Sequence, residues 1–203
     1  MTNDDIARGY APVARGYREQ LGGELAGKPL DRAFLIAFAE RCRGPIVDVG
    51  CGPGHVTRFL ADHGADARGI DIAPAMIAEA KASYPDLPFE VGDMAAITGS
   101  IAGIVAFYSI VHTDDLATPF AGFRRALELG GLVAIAFHIG TERVVVDEMF
   151  GEKTHLEFVF HEPAKVIAAL EASGFVIEAR LDRAPYPAVE HQSQRCYLLA
   201  RAI

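Results

Sequence analysis

The feature that most constrains the fold is a short apolar run that leads into a glycine-rich loop and then into an amphipathic segment. The apolar run is Ile46 to Val49, the loop carries Gly50, Gly52 and Gly54, and helical spacing of apolar residues begins at Val56. Strand, tight turn and helix in this order are typical of a β-α unit in an open parallel sheet. Glycines in such a turn let a ligand approach the backbone at the N-terminus of a helix.

The same unit repeats along the chain. Helices are predicted at 31–42, from Pro74 and from Thr118, and strands are predicted at 67–71, 89–91, 101–107 and 132–138. This alternation predicts an α/β fold with a parallel sheet that is covered by helices on both faces.

The last third of the chain has a different pattern. Short strands are predicted at 142–146 and 155–161 around a turn at Gly151, followed by a helix at 163–173 and final strands at 175–181 and 195–201. We interpret the insert as a lid or an interface. It is a candidate homodimer contact or a hydrophobic cover, because it is rich in apolar residues, namely Val144 to Val146, Phe150, Phe158 and Phe160.

Composition restricts the classes of partner. The chain has 203 residues, 51% of them hydrophobic, and a formal net charge of −8, so it lacks the broad cationic field of a nucleic-acid binder. Its three cysteines show no C-x-x-C spacing, its first residues are polar and acidic, and no run approaches the roughly 18 apolar residues of a membrane span. We therefore expect one cytoplasmic domain that binds small molecules, with no membrane or nucleic-acid partner.

Two acidic residues refine the prediction for the glycine loop. Asp71 ends the second predicted strand, where a carboxylate can accept hydrogen bonds from a ribose hydroxyl pair. Asp48 places negative charge beside the loop, which suits a sulfonium and ammonium ligand better than a phosphate. The spacing is G-x-G-x-G, without the G-x-G-x-x-G of dinucleotide sites. S-adenosylmethionine is therefore favoured over NAD, although each carboxylate alone is compatible with an ordinary solvated or capping role.

The segment VDVGCGPGH resembles the first motif of class I S-adenosylmethionine-dependent methyltransferases, and GIDIAPAMIAEA is similar to the second. The chain most resembles small bacterial enzymes grouped with the ubiquinone/menaquinone and methyltransferase domain 11 families. The resemblance implies a Rossmann-like three-layer αβα sandwich with a seven-stranded, mostly parallel sheet whose last strand is reversed. It implies one domain over 1–203, divided into a helical lid at 1–44, a cofactor-binding core at 45–138, the β insert at 139–161 and a C-terminal helix with strands at 162–203.

The resemblance also implies a set of cofactor-binding residues. Asp71 would bind the ribose, Asp93 the adenine amino group, and Ile72 and Met94 the two faces of the ring. Backbone near Phe107, in the run GIVAFYSIVH, would hold the methionine moiety. The first motif contributes Asp48, Gly50, Cys51, Gly52 and Gly54. The fourth motif lacks an initial acidic residue and the Asn-Pro-Pro-Tyr run of nucleic-acid amino-methyltransferases, so that type is not expected.

Methyl transfer from a sulfonium mainly needs alignment and exclusion of water, with a base where the acceptor carries a proton. His112, which follows the fourth strand, is the candidate base, and Tyr108 is a candidate ring wall or hydroxyl donor; both are also compatible with simple packing. Tyr10 and Tyr17 could close over the cofactor or pack between helices. His55 is expected to shape the loop.

Two further groups of residues could form a metal site and a wall of the acceptor pocket. A metal site would gather His138, His155, Glu157 and His161, but no tight ligand motif supports it and no metal is expected. Residues 186–191 are interpreted as a surface turn in preference to an acceptor-pocket wall. The sequence therefore predicts a methyltransferase that acts on a small-molecule acceptor by in-line displacement and releases S-adenosylhomocysteine. A non-catalytic binder of either compound is the alternative, followed by an NAD-dependent oxidoreductase.

Overall fold

A computed structural model describes residues 1–203. The helices are α1 (Asn3–Tyr10), α2 (Ala14–Leu21), α3 (Pro29–Ala39), α4 (His55–Asp62), α5 (Pro74–Ser83), α6 (Ala117–Ala126) and α7 (Pro163–Ala172). The strands are β1 (Ile46–Val49), β2 (Ala67–Asp71), β3 (Phe89–Val91), β4 (Ile101–Phe107), β5 (Leu127–His138), β6 (Arg143–Met149), β7 (Glu152–Val159), β8 (Phe175–Arg183) and β9 (Arg195–Ala202). No helix has both the length and the apolar composition that a bilayer crossing requires.

Seven strands form one sheet in the order β3-β2-β1-β4-β5-β9-β8. Strands β1 to β5 pair in parallel, whereas β9 runs antiparallel to both of its neighbours, β5 and β8. The predicted α/β sandwich with a reversed last strand is therefore confirmed. Because the strand order changes direction between β1 and β4, loops at the carboxyl ends of these strands border a crevice of the kind in which such sheets bind ligands.

The sheet carries a hydrophobic core on each face, because successive strand residues point to opposite sides. Ile104 of β4 packs in the cluster that includes Phe120 and Phe123 of α6. Its neighbour Val105 packs in the opposite cluster with Phe38 of α3. The central strands β1 and β4 are buried on both faces, which explains why their sequences are mostly apolar.

The predicted start of β5 was wrong. Strand β5 begins at Leu127 instead of 132, because the chain re-enters the sheet opposite Ile101 and then passes an irregularity before Gly103 pairs with Leu132. Gly130 sits in that irregular stretch with a φ of +81°, which a glycine adopts readily.

The two strands of the insert extend nearer to the turn than predicted, since β6 ends at Met149 instead of 146 and β7 begins at Glu152 instead of 155. Strands β6 and β7 form a separate two-stranded sheet joined by Phe150 and Gly151. Both loop residues have positive φ, 56° and 82°, as a two-residue hairpin turn requires.

Candidate functional site

A cavity of about 290 Å³ opens at the carboxyl ends of β1, β2, β3 and β4. Its walls come from the loops that follow these strands, from α1 and α2, and from the segment around Leu25. Among the predicted site residues, those that line it are Asp48, Gly50, Cys51, Gly52, Asp71, Ile72, Asp93, Met94, Phe107, Tyr108 and His112. The topology thus gathers residues 48 to 112 around one space.

The loop after β1 is shaped by close approaches. Gly50 has a φ of +68°, and a methyl group in place of its hydrogen would lie 2.4 Å from the Cβ of Ser109. Gly54 has a φ of +86° and faces Phe89, so it lets α4 begin against the core and does not line the cavity. Of the predicted loop residues, Gly54 therefore acts on packing, while the others face the cavity.

The two carboxylates beside this loop are held differently. Asp71 accepts hydrogen bonds from the backbone N–H groups of Gly52 and Ala73, each at 2.8 Å. Burial raises the pKa of Asp71, and these two bonds lower it by less, so the pKa lies above its usual value. Asp48 is 2% exposed and accepts one bond from the Thr57 hydroxyl at 2.7 Å. Burial raises the pKa of Asp48 to about 6. Asp48 is thus a buried carboxylate without a nearby cationic partner in hydrogen-bond contact.

The far end of the cavity is bounded by Asp93, Ile72 and Met94. One carboxylate oxygen of Asp93 accepts from the Ala95 N–H at 2.8 Å, and the other accepts from the side-chain amide of Asn3 at 2.8 Å. The side-chain amide of Asn3 therefore donates to Asp93, the acid that the resemblance pairs with the adenine amino group.

His112 is buried between α1 and the β6–β7 hairpin. Its Nδ1 lies 2.7 Å from the backbone carbonyl of Glu157, and its Nε2 lies 2.8 Å from the Tyr10 hydroxyl. A carbonyl oxygen can only accept, so Nδ1 carries the proton of the ring. Burial lowers the pKa of His112, which keeps the imidazole neutral. The Nε2 lone pair therefore accepts the hydrogen bond that Tyr10 donates.

Tyr108, which is half-buried, belongs to a closed ring with three buried side chains. Arg183 Nε donates to the Tyr197 hydroxyl at 2.9 Å, and the Tyr197 and Tyr108 hydroxyls are 2.8 Å apart. Tyr108 donates to Asp31 Oδ2 at 3.3 Å, and Arg183 Nη2 donates to Asp31 Oδ1 at 2.8 Å. Burial raises the pKa of Tyr108, so its hydroxyl stays protonated. Because both of its hydrogen-bonding roles are taken, Tyr108 is a fixed wall of the cavity.

The same ring holds a strained backbone. Tyr108 has a φ of 55°, a conformation that is costly for a bulky residue and persists only where surrounding contacts enforce it. Its backbone N–H also donates to the carbonyl of Ala136 at 2.8 Å. The left-handed turn directs the chain from β4 across the cavity toward His112.

Further charges surround the ring. Glu190 contacts Arg183 directly, lies 3.2 Å from Arg195 Nε and lies 3.5 Å from Lys28 Nζ. Burial raises the pKa of Glu190, but these cations and the Tyr186 N–H lower it more, to about 2. The side chain of Glu190 is 2% exposed, whereas residues 187–189 and His191 are exposed, so the segment 186–191 is a surface turn that Glu190 ties to the interior. It does not line the cavity.

Two polar atoms that border the cavity have no hydrogen-bond partner. They are Nδ1 of His55 and the hydroxyl of Ser109. His55 Nε2 lies 3.5 Å from Glu24, a second acid of the lining. Burial would raise the pKa of Glu24, but His55 and Lys28 lower it more, so Glu24 is ionised. Unpaired buried polar groups carry a cost, so they mark a place where a polar ligand fits.

The charge of the lining is one-sided. Six carboxylates border the cavity, and no lysine or arginine side chain does. The acids are Glu24, Asp31, Asp48, Asp71, Asp93 and Asp115.

The residues weighed as metal ligands lie apart. His155 pairs with Asp147 at the surface, His161 approaches the carbonyl of Ile110 at 3.1 Å, and His138 approaches the hydroxyl of Ser193 at 2.7 Å. No group of three or more His, Cys, Asp or Glu side chains is placed to hold a metal ion.

Comparison with known proteins bears on the fold and the loop. Residues 46–131 match a family described as a methyltransferase domain. The chain is 33% identical over 108 residues to trans-aconitate 2-methyltransferase of Rhizobium meliloti, covering 51% of this chain and 42% of that protein. It is 27% identical over 139 residues to demethylmenaquinone methyltransferase of Beutenbergia cavernae, covering 65% and 57%. The chain thus matches about half the length of these relatives.

A crystal structure of magnesium protoporphyrin IX methyltransferase from Synechocystis with bound S-adenosylhomocysteine superimposes with a TM-score of 0.74 at 16% identity, covering 100% of both chains. The sheet order, the reversed strand and the matched domain together place this chain among proteins with the class I methyltransferase fold. Residues 46–131 are similar to a methyltransferase domain, and the matched relatives include bacterial methyltransferases.

Several residues of the site were missed from the sequence. Asn3 lies near the start of α1, where a capping box of Thr2 and Asp5 was the local signal for a helix. Asp31 stands in an otherwise apolar helix, and a fully buried acid of this kind requires a partner. The partner, Arg183, is 152 residues away, so spacing alone could not identify it.

Proposed function

We propose that the protein is an S-adenosylmethionine-dependent methyltransferase that acts on a small-molecule acceptor. The observation that carries the proposal is the glycine loop after β1, with Asp71 beside it and Asp48 behind it, facing a cavity that six carboxylates and no lysine or arginine side chain line. This charge suits a ligand that is cationic at its sulfonium and ammonium groups and opposes a pyrophosphate-containing dinucleotide.

The residues present fit this cofactor. Asp71 keeps a free lone pair on each oxygen for the ribose hydroxyls, since each oxygen accepts one backbone N–H. Asp93, Ile72 and Met94 would hold the adenine. The polar atoms of His55 and Ser109 that lack partners offer hydrogen bonds at the other end, with Glu24 near an ammonium group.

The bound cofactor would supply an activated methyl group, and the protein would supply alignment, a water-excluding cover and a base. His112 Nε2 is the base that its geometry favours, because its lone pair faces the cavity side of α1 and its Nδ1 proton is fixed by the Glu157 carbonyl. Tyr108 would bound the methionine end through its fixed backbone. Phe107 lines the same wall.

Calorimetric titration with S-adenosylmethionine, S-adenosylhomocysteine and NAD tests the proposal. We expect saturable binding of the first two and none of NAD. Asp71→Ala removes two hydrogen bonds and should weaken binding by about 100-fold or more, because hydrogen bonds to a charged group are each worth about 1.5–3 kcal/mol. Asp86→Ala is the matched control, since the side chain of Asp86 is 64% exposed and lies outside the cavity.

Binding of NAD alone would overturn the proposal. Binding of S-adenosylmethionine with no methyl transfer to any acceptor would instead favour a non-catalytic binding protein. A cytoplasmic location and a homodimer through the β6–β7 hairpin stay predictions, and gel filtration of the intact chain tests the second.

A further inference from the structure

We propose that the methyl acceptor is an uncharged phenol whose hydroxyl replaces the Tyr10 hydroxyl at Nε2 of His112. The inference rests on the proposed function and deepens it. In the protein without acceptor, a phenol of the protein itself already donates to the atom that would receive the acceptor's proton.

The hydrogen-bonding pattern selects the chemistry of the nucleophile. The Nδ1 proton is engaged by the Glu157 carbonyl, so Nε2 is an acceptor only. A group bound there must bring a proton, as a hydroxyl does and a carboxylate does not. In the reaction, the oxygen–methyl bond forms as the sulfur–methyl bond breaks, the phenolic proton passes to Nε2, and the sulfonium becomes a neutral thioether.

The surroundings of His112 are suited to an aromatic ring. Tyr10 meets the imidazole edge-on, with ring centres 5.4 Å apart and planes at 80°. Phe158 lies on another side with a centre distance of 5.0 Å, and Tyr17 meets Tyr10 edge-on at 6.1 Å. Aromatic contacts of this geometry favour a planar ring over a flexible aliphatic chain.

The charge of the cavity excludes an anionic acceptor. Of the six carboxylates that line it, Asp31 and Asp115 are not assigned to the cofactor, and no lysine or arginine side chain lines it, so an acceptor with its own carboxylate would meet repulsion. A neutral phenol avoids this cost. The cations nearest to the cavity, Lys28 and Arg183, already pair with Glu24, Asp31 and Glu190.

The experiment measures acceptor binding to the protein saturated with S-adenosylhomocysteine. The probes are 4-methylphenol and 2-naphthol, the anionic analogue 4-hydroxybenzoate, and the amines 4-methylaniline and 2-phenylethylamine, which carry no hydroxyl. We expect the two neutral phenols to bind and 4-hydroxybenzoate to bind at least about tenfold more weakly. Tyr10→Phe should tighten phenol binding by about two- to tenfold, because the acceptor no longer displaces an existing hydrogen bond.

A second readout is the ¹⁵N chemical shift of His112. Tyr10→Phe should move the Nε2 signal toward that of an unbonded ring nitrogen, and 4-methylphenol should return it. Tyr17→Phe is the matched control, since no hydrogen bond joins Tyr17 to His112, and it should leave the Nε2 signal in place.

Equal binding of 4-hydroxybenzoate, preference for an amine, no binding of either phenol, or weaker phenol binding by Tyr10→Phe would each overturn the inference. Its failure differs from that of the proposed function. Absence of S-adenosylhomocysteine binding sinks the proposed function, whereas cofactor binding without phenol binding sinks only the inference about the acceptor.

Discussion

Two regions enclose the cavity and are built in different ways. The floor consists of the loop after β1 and the ring of Asp31, Tyr108, Arg183 and Tyr197, and it joins the seven-stranded sheet directly. The cover consists of α1 and α2, and the β6–β7 hairpin, which has its own two-stranded sheet, packs behind α1 without lining the cavity. In the floor, the four side chains of the ring form a closed cycle of hydrogen bonds. In the cover, single bonds reach across to the site.

The difference is clearest in two bonds of α1. Asn3 donates to Asp93, and Tyr10 donates to His112. Each donor belongs to the cover, each acceptor belongs to the opposite wall, and a ligand group of the same kind could take the donor's place. The floor offers no such exchange, since removal of any ring member leaves a buried partner unsatisfied. The hydrogen bonds of the floor are therefore permanent, whereas a ligand can replace those that the cover makes to the site.

The largest effect is expected where the ring is broken. Arg183→Met removes the cation shared by Asp31 and Glu190, and it should lower the free energy of unfolding by about 3–5 kcal/mol in urea denaturation. Arg180→Met is the control, because Arg180 pairs with Asp182 at the surface with 44% and 38% of the two side chains exposed. It should cost less than about 1 kcal/mol. Equal losses in both variants would contradict the closed ring.

Removal of the Asp48 charge should stabilise the protein, in contrast to removal of Arg183, because Asp48 is a buried charge of the floor that pairs with no cation. Burial raises its pKa from 3.8 to about 6 in the folded protein, so the folded state binds the proton more tightly than the unfolded chain does. This contribution to stability is full below about pH 4 and is lost as the pH rises through 6.

Asp48→Asn should therefore raise the free energy of unfolding at pH 8 by about 2–3 kcal/mol and remove the Asp48 contribution to the pH dependence between 4 and 6. The same variant should weaken S-adenosylmethionine binding, since the negative charge is gone. Urea denaturation at pH 5 and pH 8 measures the first effect. The exposed Asp86→Asn serves as control, and a loss of stability at pH 8 in Asp48→Asn would refute the prediction.

The smallest effect is expected in the cover. A methyl group at Gly9 of α1 would lie 2.8 Å from the backbone carbonyl of His155 and 2.5 Å from Leu156, so Gly9→Ala should loosen α1 from β7. Overpacking of this kind costs about 1–2 kcal/mol, which speeds amide hydrogen exchange in α1 by about 5- to 30-fold. The midpoint of global unfolding in urea should be unchanged in Gly9→Ala.

Gly23→Ala is the matched control for the cover, because no atom lies within 4 Å of the added methyl group. It should leave exchange in α1 unchanged. If Gly9→Ala lowered the global midpoint as much as the Arg183→Met change, the cover and the floor would form a single cooperative unit.

The same division explains what the sequence could predict. The floor's glycine loop and Asp71 are short-range patterns, since a strand, a turn and a helix lie within about twenty residues and their periodicity is visible. The order of the sheet also followed, because alternating β and α units allow few topologies. The reversed strand β9 was predicted only through resemblance.

The remainder depends on contacts between distant residues. Asp31 and Arg183 meet across most of the chain, and Tyr10 meets His112 across 102 residues. No spacing rule connects such pairs. The start of β5 at Leu127 was missed for a related reason: Gly130-Gly131 signals a break locally, while pairing with β4 carries the strand through it.

The position of β9 also orders the events of biosynthesis. Tyr197 lies in the last strand, which inserts between β5 and β8, and Arg183 ends the strand beside it. While the ribosome still holds these residues, Tyr108 has neither of the side chains that close its ring. The nascent chain can pair β1 with β2 and β4 early, but its left-handed turn at Tyr108 becomes secure only after the final strand is released.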